Sequence, residues 1–283
     1  MIGERAFSRL LLAPITLVYL LFLIAPISFF LAMSVFRYDA FDLYIPTLTG
    51  ENFSRLVMDD YYRTIILRTL RIAFLTAFFS LLLGYPLAYF LARTKTVWRG
   101  VLMFLVIAPL MSGVIVRTYG WIILLGSEGA VNRTLLWTGL ISEPLKILNT
   151  EGAVLIALVH ILMPYMVFPL FSALASQDPD VERAAGTLGA GKIRTFFEVT
   201  LPLSRAGIAM GSALVFTLAA GAVVTPALLG GKDVQMLGQQ IYDLVLATLN
   251  WPLASALASV LVLCQFVIIG LYFRTGKRKA GVV

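Results

Sequence analysis

Six long apolar runs constrain this chain more than any other feature of its sequence. None of them contains Asp or Glu, and each is close to or above the ~20 residues that cross a bilayer as a helix. The ten-residue alternating strands of an outer-membrane barrel look quite different. The sequence therefore predicts an all-α, polytopic membrane protein, a single transmembrane domain over residues 1–283 whose six spans cover about 10–36, 71–92, 101–125, 153–175, 206–229 and 253–273.

The distribution of charge between the loops predicts the orientation of these spans. With the N-terminus inside, the inner segments hold 13 basic and 5 acidic residues, and the outer segments hold 9 basic and 10 acidic residues. An excess of Lys and Arg in the inner loops is what the positive-inside rule describes. We therefore expect both termini in the cytoplasm. The net charge of +7 is interpreted as a topology signal and not as a nucleic-acid-binding surface.

Chemistry-bearing side chains are sparse in this sequence. It has one cysteine, Cys264, and one histidine, His160, so neither an intramolecular disulfide nor a histidine–cysteine metal cluster is expected. It also contains no glycine-rich phosphate loop and no Ser/His/Asp set. We expect a chain without catalytic residues, without a metal site and without a bound cofactor.

Small residues are concentrated in the fifth apolar run. Gly207 and Gly211 form a GxxxG step, and Gly221 follows in a stretch rich in alanine. Small residues at such spacing let transmembrane helices approach closely. We predict that these glycines pack against another helix of this chain or of a second subunit.

A short charged segment, residues 178–202, interrupts the apolar pattern between the fourth and fifth runs. Asp178 followed by Pro179 is a helix-start signal, and Gly189 is a stop signal. Between them a small apolar stripe recurs at i, i+3, i+4 and i+7, formed by Val181, Ala184, Ala185 and Leu188. A second short helix is expected to follow, with Ile193, Phe196 and Phe197 on one face. It would end at Leu201-Pro202.

The two halves of this segment suit different surroundings. An aromatic face suits the headgroup layer of the bilayer, so the second half fits an interfacial helix. The stripe of the first half is too small to insert well into lipid. It suits the groove of a protein partner on the cytoplasmic side, where a helix lays its apolar face.

The run ERAAGTLGAGKIRTFFEVTLPL (Glu182–Leu203) resembles the EAA loop of the membrane subunits of binding-protein-dependent ABC importers. One departure is clear: Arg183 stands where the family has glutamate, with Glu182 one residue earlier. The matching positions are Ala184, Ala185, Gly189, Val199, Leu201 and Pro202. Four further segments are similar to permeases of the spermidine/putrescine branch, at residues 83–94, 107–121, 161–174 and 250–257.

The resemblance implies a set of partners. Segment 178–202 would be the coupling helix that docks on a cytoplasmic ATPase dimer, and that dimer would use ATP and Mg. A second homologous permease, in a heterodimer, and a periplasmic or extracellular solute-binding protein would complete an importer in the bacterial inner membrane, surrounded by lipid. The docking residues would be Glu182, Arg183, Ala184, Ala185, Leu188, Gly189, Ala190 and Gly191.

The identity of the solute is less constrained. A polyamine is cationic, yet the spans hold no carboxylate, and the one deep charge, Arg117, has the opposite sign to the one required. The partner permease supplies the acids, or aromatic residues bind the cation, or the solute is neutral or anionic and meets Arg117. A fourth alternative is that Arg117 only snorkels to the outer surface. The candidates for lining the path are Arg117, Tyr119, Trp121, Tyr165 and Asp243.

Two other functions remain alternatives at this point. One is an ABC permease for another small solute, such as an amino-acid derivative or an organic ion. The other is a secondary transporter that needs no ATPase, for which titratable residues at the midplane and inverted repeats would be expected. The sequence shows neither of these features.

Overall fold

The computed structural model describes residues 14–277, and the side chains of residues 14–272. Nearly all of its elements are helices. In chain order they are α1 Pro14–Met33, β1 Phe36–Asp39, β2 Leu43–Leu48, α2 Glu51–Met58, α3 Asp60–Arg93, α4 Trp98–Met111, α5 Val114–Leu125, α6 Ala130–Trp137, α7 Glu151–Ala175, α8 Pro179–Thr187, α9 Lys192–Leu203, α10 Arg205–Ala220, α11 Leu237–Leu246 and α12 Trp251–Lys277.

The prediction of an all-α, multi-pass membrane protein is confirmed. Within the described residues, five helical stretches are long and apolar enough to cross a membrane. They are Pro14–Met33, Asp60–Arg93, Val114–Trp137, Glu151–Ala175 and Trp251–Tyr272. A sixth crossing is formed if α9 and α10, which meet at a 65° bend, count as one broken span. Residues 10–13 of the expected first span lie outside the described part.

The expected third span, 101–125, is divided between two helices. α4 ends at Met111, and α5 begins at Val114 with Gly113 in an extended conformation at its N-cap. Pro109 and the Ser112-Gly113 pair explain the break, because proline and glycine both weaken a continuous helix. The apolar pattern alone could not reveal it, since mostly apolar residues stand on both sides of the break.

The boundaries of two other spans also differ from the expected ones. α3 starts at Asp60, well before the expected position 71. The residues before 71 are also helical, but several of them are polar, so they are not counted in the apolar run. The fifth run, expected over 206–229, is helical only to Ala220, where Gly221 forms the C-cap. A π-helical turn, Pro226–Gly230, follows after a short break.

The described residues divide into two compact units, and the first contains the residues up to Arg63 together with Gln240–Val262. Here the expected outer loop that begins at residue 37 is structured. β1 and β2 pair antiparallel, with Tyr38 opposite Tyr44. The Asp39 carboxylate accepts backbone N–H groups of Phe41 and Asp42 at 2.8 and 3.0 Å, which lowers the pKa of Asp39 below its ordinary value.

The second unit contains Thr64–Gln239 and the residues from Leu263 onward, and its core is the seam between α7 and α10. Gly207 lies so close to α7 that an added Cβ would come within 2.6 Å of the Ala173 side chain. An added Cβ at Gly211 would come within 2.7 Å of the Met166 sulfur. Close packing of small residues therefore holds these two helices together.

Gly221 has a different environment from the other two glycines of this run. It is exposed, and an added Cβ would meet only the carbonyl of Thr217 in its own helix. Its own carbonyl lies where an added Cβ on Gly238 would come within 2.9 Å. Gly221 therefore makes a close contact through its backbone at the end of the helix. It does not belong to the small-residue face that Gly207 and Gly211 present to α7.

Candidate functional site

The segment between α7 and α10 folds locally as its sequence predicts. The Asp178 carboxylate accepts the backbone N–H of Asp180 at 2.9 Å, which caps α8, and Pro179 occupies its first turn. At the other end Gly189 has φ = +85°, the left-handed conformation that glycine adopts without strain. The result is a nine-residue helix with both ends defined.

One face of α8 is open. Val181 and Ala184 are exposed, Ala185 is half-buried, and Leu188, just after the helix, is 89% exposed. A leucine this exposed at the end of a capped helix is not covered by apolar neighbours from the part of the chain that the structure describes. The stripe identified in the sequence is therefore available to a partner.

A neighbouring side of α8 is attached to the rest of the unit through Glu182. Its Oε1 accepts a 2.7 Å bond from Arg93 Nη2 and a 3.0 Å bond from Thr200 Oγ1. Its Oε2 accepts a 3.3 Å bond from Tyr89 OH. The side chains of Arg93 and Glu182 are only 17% and 19% exposed. We call these four residues, Glu182, Arg93, Thr200 and Tyr89, the anchor cluster.

Arg93 extends the anchor cluster to the end of α7. Its Nη1 donates to the carbonyls of Leu174 and Gln177 at 3.2 and 3.4 Å, and its Nη2 donates to Gln177 Oε1 at 3.3 Å. The guanidinium also lies over the ring of Tyr89 at 5.8 Å. Arg93, in the last turn of α3, thus joins this helix to the end of α7 and to the carboxylate of α8.

Arg183, which occupies the family's glutamate position, points away from the anchor cluster. Its Nη1 donates to Asp180 Oδ1 at 2.7 Å, and its side chain is 78% exposed. The sequence interpretation placed Glu182 and Arg183 together as docking residues. The structure separates them, because neighbouring residues on a helix lie about 100° apart.

The remaining predicted docking residues lie in the turn after α8. Gly189 and Gly191 are exposed and Ala190 is half-buried, with Gly191 extended at the N-cap of α9. An open groove of about 930 Å³ borders this turn. Its charged lining residues are Arg93, Lys95, Glu182, Arg183 and Lys192.

α9 departs from the expected single aromatic face. The ring of Phe196 packs edge-on against Tyr85 at 5.5 Å, whereas Ile193 and Phe197 are exposed. A π-helical turn over Phe196–Thr200 changes the angular spacing of the side chains, although the rings of Phe196 and Phe197 still meet edge-on at 5.1 Å. The helix ends at Leu203, one residue after the predicted stop at Leu201-Pro202.

Among the candidate path residues, Arg117 and Trp121 both contact the middle of α7. Arg117 Nη1 donates to the Ile161 carbonyl at 3.3 Å, and Trp121 Nε1 donates to His160 Nδ1 at 3.2 Å. Ile161 lies ten residues into α7, about 15 Å from its start. Arg117 therefore contacts the middle of a span, which argues against snorkelling at its outer end.

The other path candidates are not gathered with these two. Tyr119 and Tyr165 are exposed on α5 and α7. Asp243 lies on α11 in the first unit. In the part of the chain that the structure describes, no group of three or more His, Cys, Asp or Glu residues could hold a metal ion.

Sequence reasoning missed the cluster partners Arg93, Thr200 and Tyr89. Arg93 and Tyr89 lie four residues apart, which places them on one helix face, but nothing in the sequence says that this face meets Glu182. The one signal in the sequence was a carboxylate, Glu182, beside the apolar stripe, which does not identify its partners. Long-range pairing of this kind depends on the tertiary fold.

Apolar spans joined by a charged, doubly capped loop helix define a multi-pass component of a membrane transport system, and comparison with known proteins agrees. The chain belongs to the family described as binding-protein-dependent transport system inner membrane component, whose pattern matches residues 80–280. Relatives of this kind are permease subunits, so the chain is a non-enzymatic membrane component of an ABC importer.

Two similar sequences are named spermidine/putrescine transport system permease protein PotB. The Haemophilus influenzae protein is 34% identical over 274 residues, which is 97% of this chain and 96% of that protein. The Escherichia coli protein is 36% identical over 229 residues, covering 81% of this chain and 83% of that protein.

Solved structures share the fold. A bacterial ABC transporter involved in the import of the acidic polysaccharide alginate has a chain that matches with a TM-score of 0.75 at 18% identity, covering 98% of this chain and 97% of that one. The alginate transporter in complex with its alginate-bound periplasmic protein matches with a TM-score of 0.79, covering 99% and 97%. The predicted importer-permease fold is thereby confirmed.

Proposed function

We propose that this chain forms half of the translocation path of an ATP-driven importer of polyamines. A second, related permease forms the other half, and a soluble binding protein delivers the solute. The chain sits in the bacterial inner membrane with both termini in the cytoplasm, as the distribution of basic residues favours. Spans on either side of the anchor cluster then move between inward-open and outward-open states.

The observation that carries this proposal is the open face of α8. A capped helix whose apolar stripe is exposed, and whose other face is attached to three elements of the same unit, is suited to receive force from a partner. In the proposed topology this face lies on the cytoplasmic side, where an ATPase dimer docks. ATP and Mg belong to that ATPase, and the permease chain binds no cofactor of its own.

The proposal of a polyamine as solute rests on similarity to the PotB permeases over most of the chain. The expected spans supply no carboxylate, so the charges that neutralise a polyamine come from the second permease or the binding protein. Aromatic side chains such as Trp121 and Tyr165 offer further cation–π contacts.

A second candidate solute is a small organic anion or neutral compound, and Arg117 favours it. This guanidinium is partly buried and donates to the middle of α7. A fixed positive charge at that depth attracts an anion and repels a polyamine. The molybdenum transport permease ModB of Azotobacter vinelandii, 29% identical over 216 residues, shows that a relative with another named solute lies within the same family.

The test is reconstitution of this chain in liposomes with the ATPase, second permease and binding protein encoded beside it. We expect ATP-dependent uptake of labelled spermidine that unlabelled putrescine competes for and small organic anions do not. Competition by anions alone would favour the second candidate. Absence of any ATP dependence would overturn the importer proposal.

The docking face is tested by Leu188→Asp, which places a charge on the exposed stripe. We expect the ATPase to be lost from the purified complex, because a carboxylate cannot enter an apolar groove without large desolvation cost. Val97→Asp is the matched control, since Val97 is also 89% exposed but lies in the turn before α4. Retention of the ATPase by Leu188→Asp would show that α8 is not the docking element.

A further inference from the structure

We propose that Glu182 is a positioning residue that joins the coupling helix α8 to the membrane helices, and that it does not contact the ATPase. This inference rests on the proposed function. It assigns the anchor cluster the task of transmitting displacement of α8 to α3, α7 and α9. The neighbouring Arg183 is exposed and pairs with Asp180 instead.

The carboxylate of Glu182 is already occupied within this chain. Arg93, Thr200 and Tyr89 donate to its two oxygens, and the side chain is about four-fifths buried. A carboxylate that accepts three hydrogen bonds, one of them from a paired guanidinium, has little capacity left for a partner protein. Its orientation away from the stripe of Val181 and Leu188 gives the same result.

The anchor cluster spans a weak point in the backbone. α8 and α9 are connected by the turn Leu188–Gly191, in which Gly189 adopts a positive φ and Gly191 is extended. Glycine allows many backbone conformations, so this turn alone would transmit motion poorly. The bond between Glu182 and Thr200 joins the two helices directly, across 18 residues of sequence.

Arg93 extends these links from α8 and α9 to two further helices. Through it the carboxylate of α8 is linked to the last turn of α3 and to the carbonyls that end α7 at Leu174 and Gln177. The bond to Glu182, at 2.7 Å, has the length of a charge-assisted hydrogen bond, and the bonds to the α7 carbonyls are longer, at 3.2 and 3.4 Å. Displacement of α8 must therefore carry the ends of α3 and α7 with it or break the cluster.

The decisive variant is Glu182→Gln in the full reconstituted importer. Glutamine keeps the size of the side chain and one acceptor but removes the charge that Arg93 requires. We expect the ATPase to remain in the purified complex and to hydrolyse ATP, while the number of solute molecules moved per ATP falls by about fivefold or more, the lower end of typical coupling between sites. If Glu182 served stability alone, ATP hydrolysis and solute uptake would fall together and the number of solute molecules moved per ATP would not change.

Glu151→Gln is the matched control. Glu151 also pairs with arginines of α3, Arg68 and Arg71, and it lies in the first turn of α7, at the opposite end of that helix from the anchor cluster. We expect its solute-to-ATP ratio to equal that of the unaltered protein. An equal fall in both variants would show that loss of any ion pair on α3 uncouples transport, and would overturn the assignment to Glu182.

Thr200→Val provides a second measurement if Glu182→Gln does not assemble. Valine has the shape of threonine but cannot donate to Glu182, so a smaller fall of the same ratio is expected. An unaltered ratio in both Glu182→Gln and Thr200→Val would overturn the inference. So would loss of ATPase binding by Glu182→Gln to the extent seen with Leu188→Asp, because Glu182 would then be a docking residue.

Failure of the proposed function is distinguishable from failure of this inference. If the unaltered complex binds no ATPase, the importer proposal itself is wrong. If the unaltered complex couples ATP to uptake and Glu182→Gln does so equally well, only the positioning role is wrong.

Discussion

Two carboxylates of the second unit pair with arginines of the same helix, α3, and their surroundings differ. Glu151, in the first turn of α7, is 34% exposed and pairs with Arg68 at 3.1 Å and with Arg71. Glu182, on α8, is 19% exposed and pairs with one arginine, and it also accepts bonds from two hydroxyl groups. Glu151 joins the two long helices α3 and α7, whereas Glu182 attaches the short helix α8 to α3.

The difference shows what each ion pair contributes. α3 and α7 are long helices that also have extensive apolar surface to bury, so Glu151 adds an exposed clamp to contacts that exist without it. α8 has no buried residue and little apolar contact of its own. Its position depends on hydrogen bonds and charge, and Glu182 supplies most of them.

The largest effect is expected for Arg93→Met. This variant leaves the Glu182 carboxylate mostly buried with only two hydroxyl donors, and loss of a charged hydrogen-bond partner costs about 1.5–3 kcal/mol. Thermal unfolding in detergent, with protease sensitivity of the 178–202 segment, is the measurement. A stability equal to the unaltered protein would show that the pair is not what holds α8.

A smaller effect is expected for Glu151→Gln. Its partner Arg71 is 60% exposed and remains hydrated after the carboxylate is lost, so about 1 kcal/mol or less of stability should disappear. The same unfolding assay measures it, repeated at high salt, where screening should reduce the difference. A loss as large as that of Arg93→Met would remove the contrast between the two sites.

Within the Glu151 site, Arg68→Met should destabilise more than Arg71→Met. Arg68 is 23% exposed and Arg71 is 60% exposed, so the charge of Arg68 is less screened by water and its interaction is stronger. We expect a difference of about 0.5 kcal/mol between the two variants. The reverse order would mean that exposure does not determine the strength of this clamp.

The smallest effect on stability is expected for Arg183→Ala, next to Glu182. Its pair with Asp180 lies on the surface of α8, and such pairs contribute about 0–0.5 kcal/mol. The unfolding temperature should be unchanged within error, while ATPase affinity reports whether Arg183 acts at the docking face. A marked loss of stability would place Arg183 in the anchor cluster with its neighbour.

The sequence predicted part of the candidate site because that part depends on local chemistry. The cap at Asp178, the first-turn proline and the left-handed Gly189 follow from residue types a few positions apart. The partners of Glu182 could not be predicted in this way. Arg93 is 89 residues away along the chain, and its side chain reaches Glu182 only because the ends of α3 and α7 come together.

The sequence by itself determined the class of fold, since continuous apolar runs of about 20 residues or more cross a bilayer as helices. It also determined the capped helix α8 and its apolar stripe, because both are periodic and local. Tertiary structure decided which face of α8 is open. It also decided that adjacent Glu182 and Arg183 have opposite surroundings, because the choice of partner depends on which helices pack together.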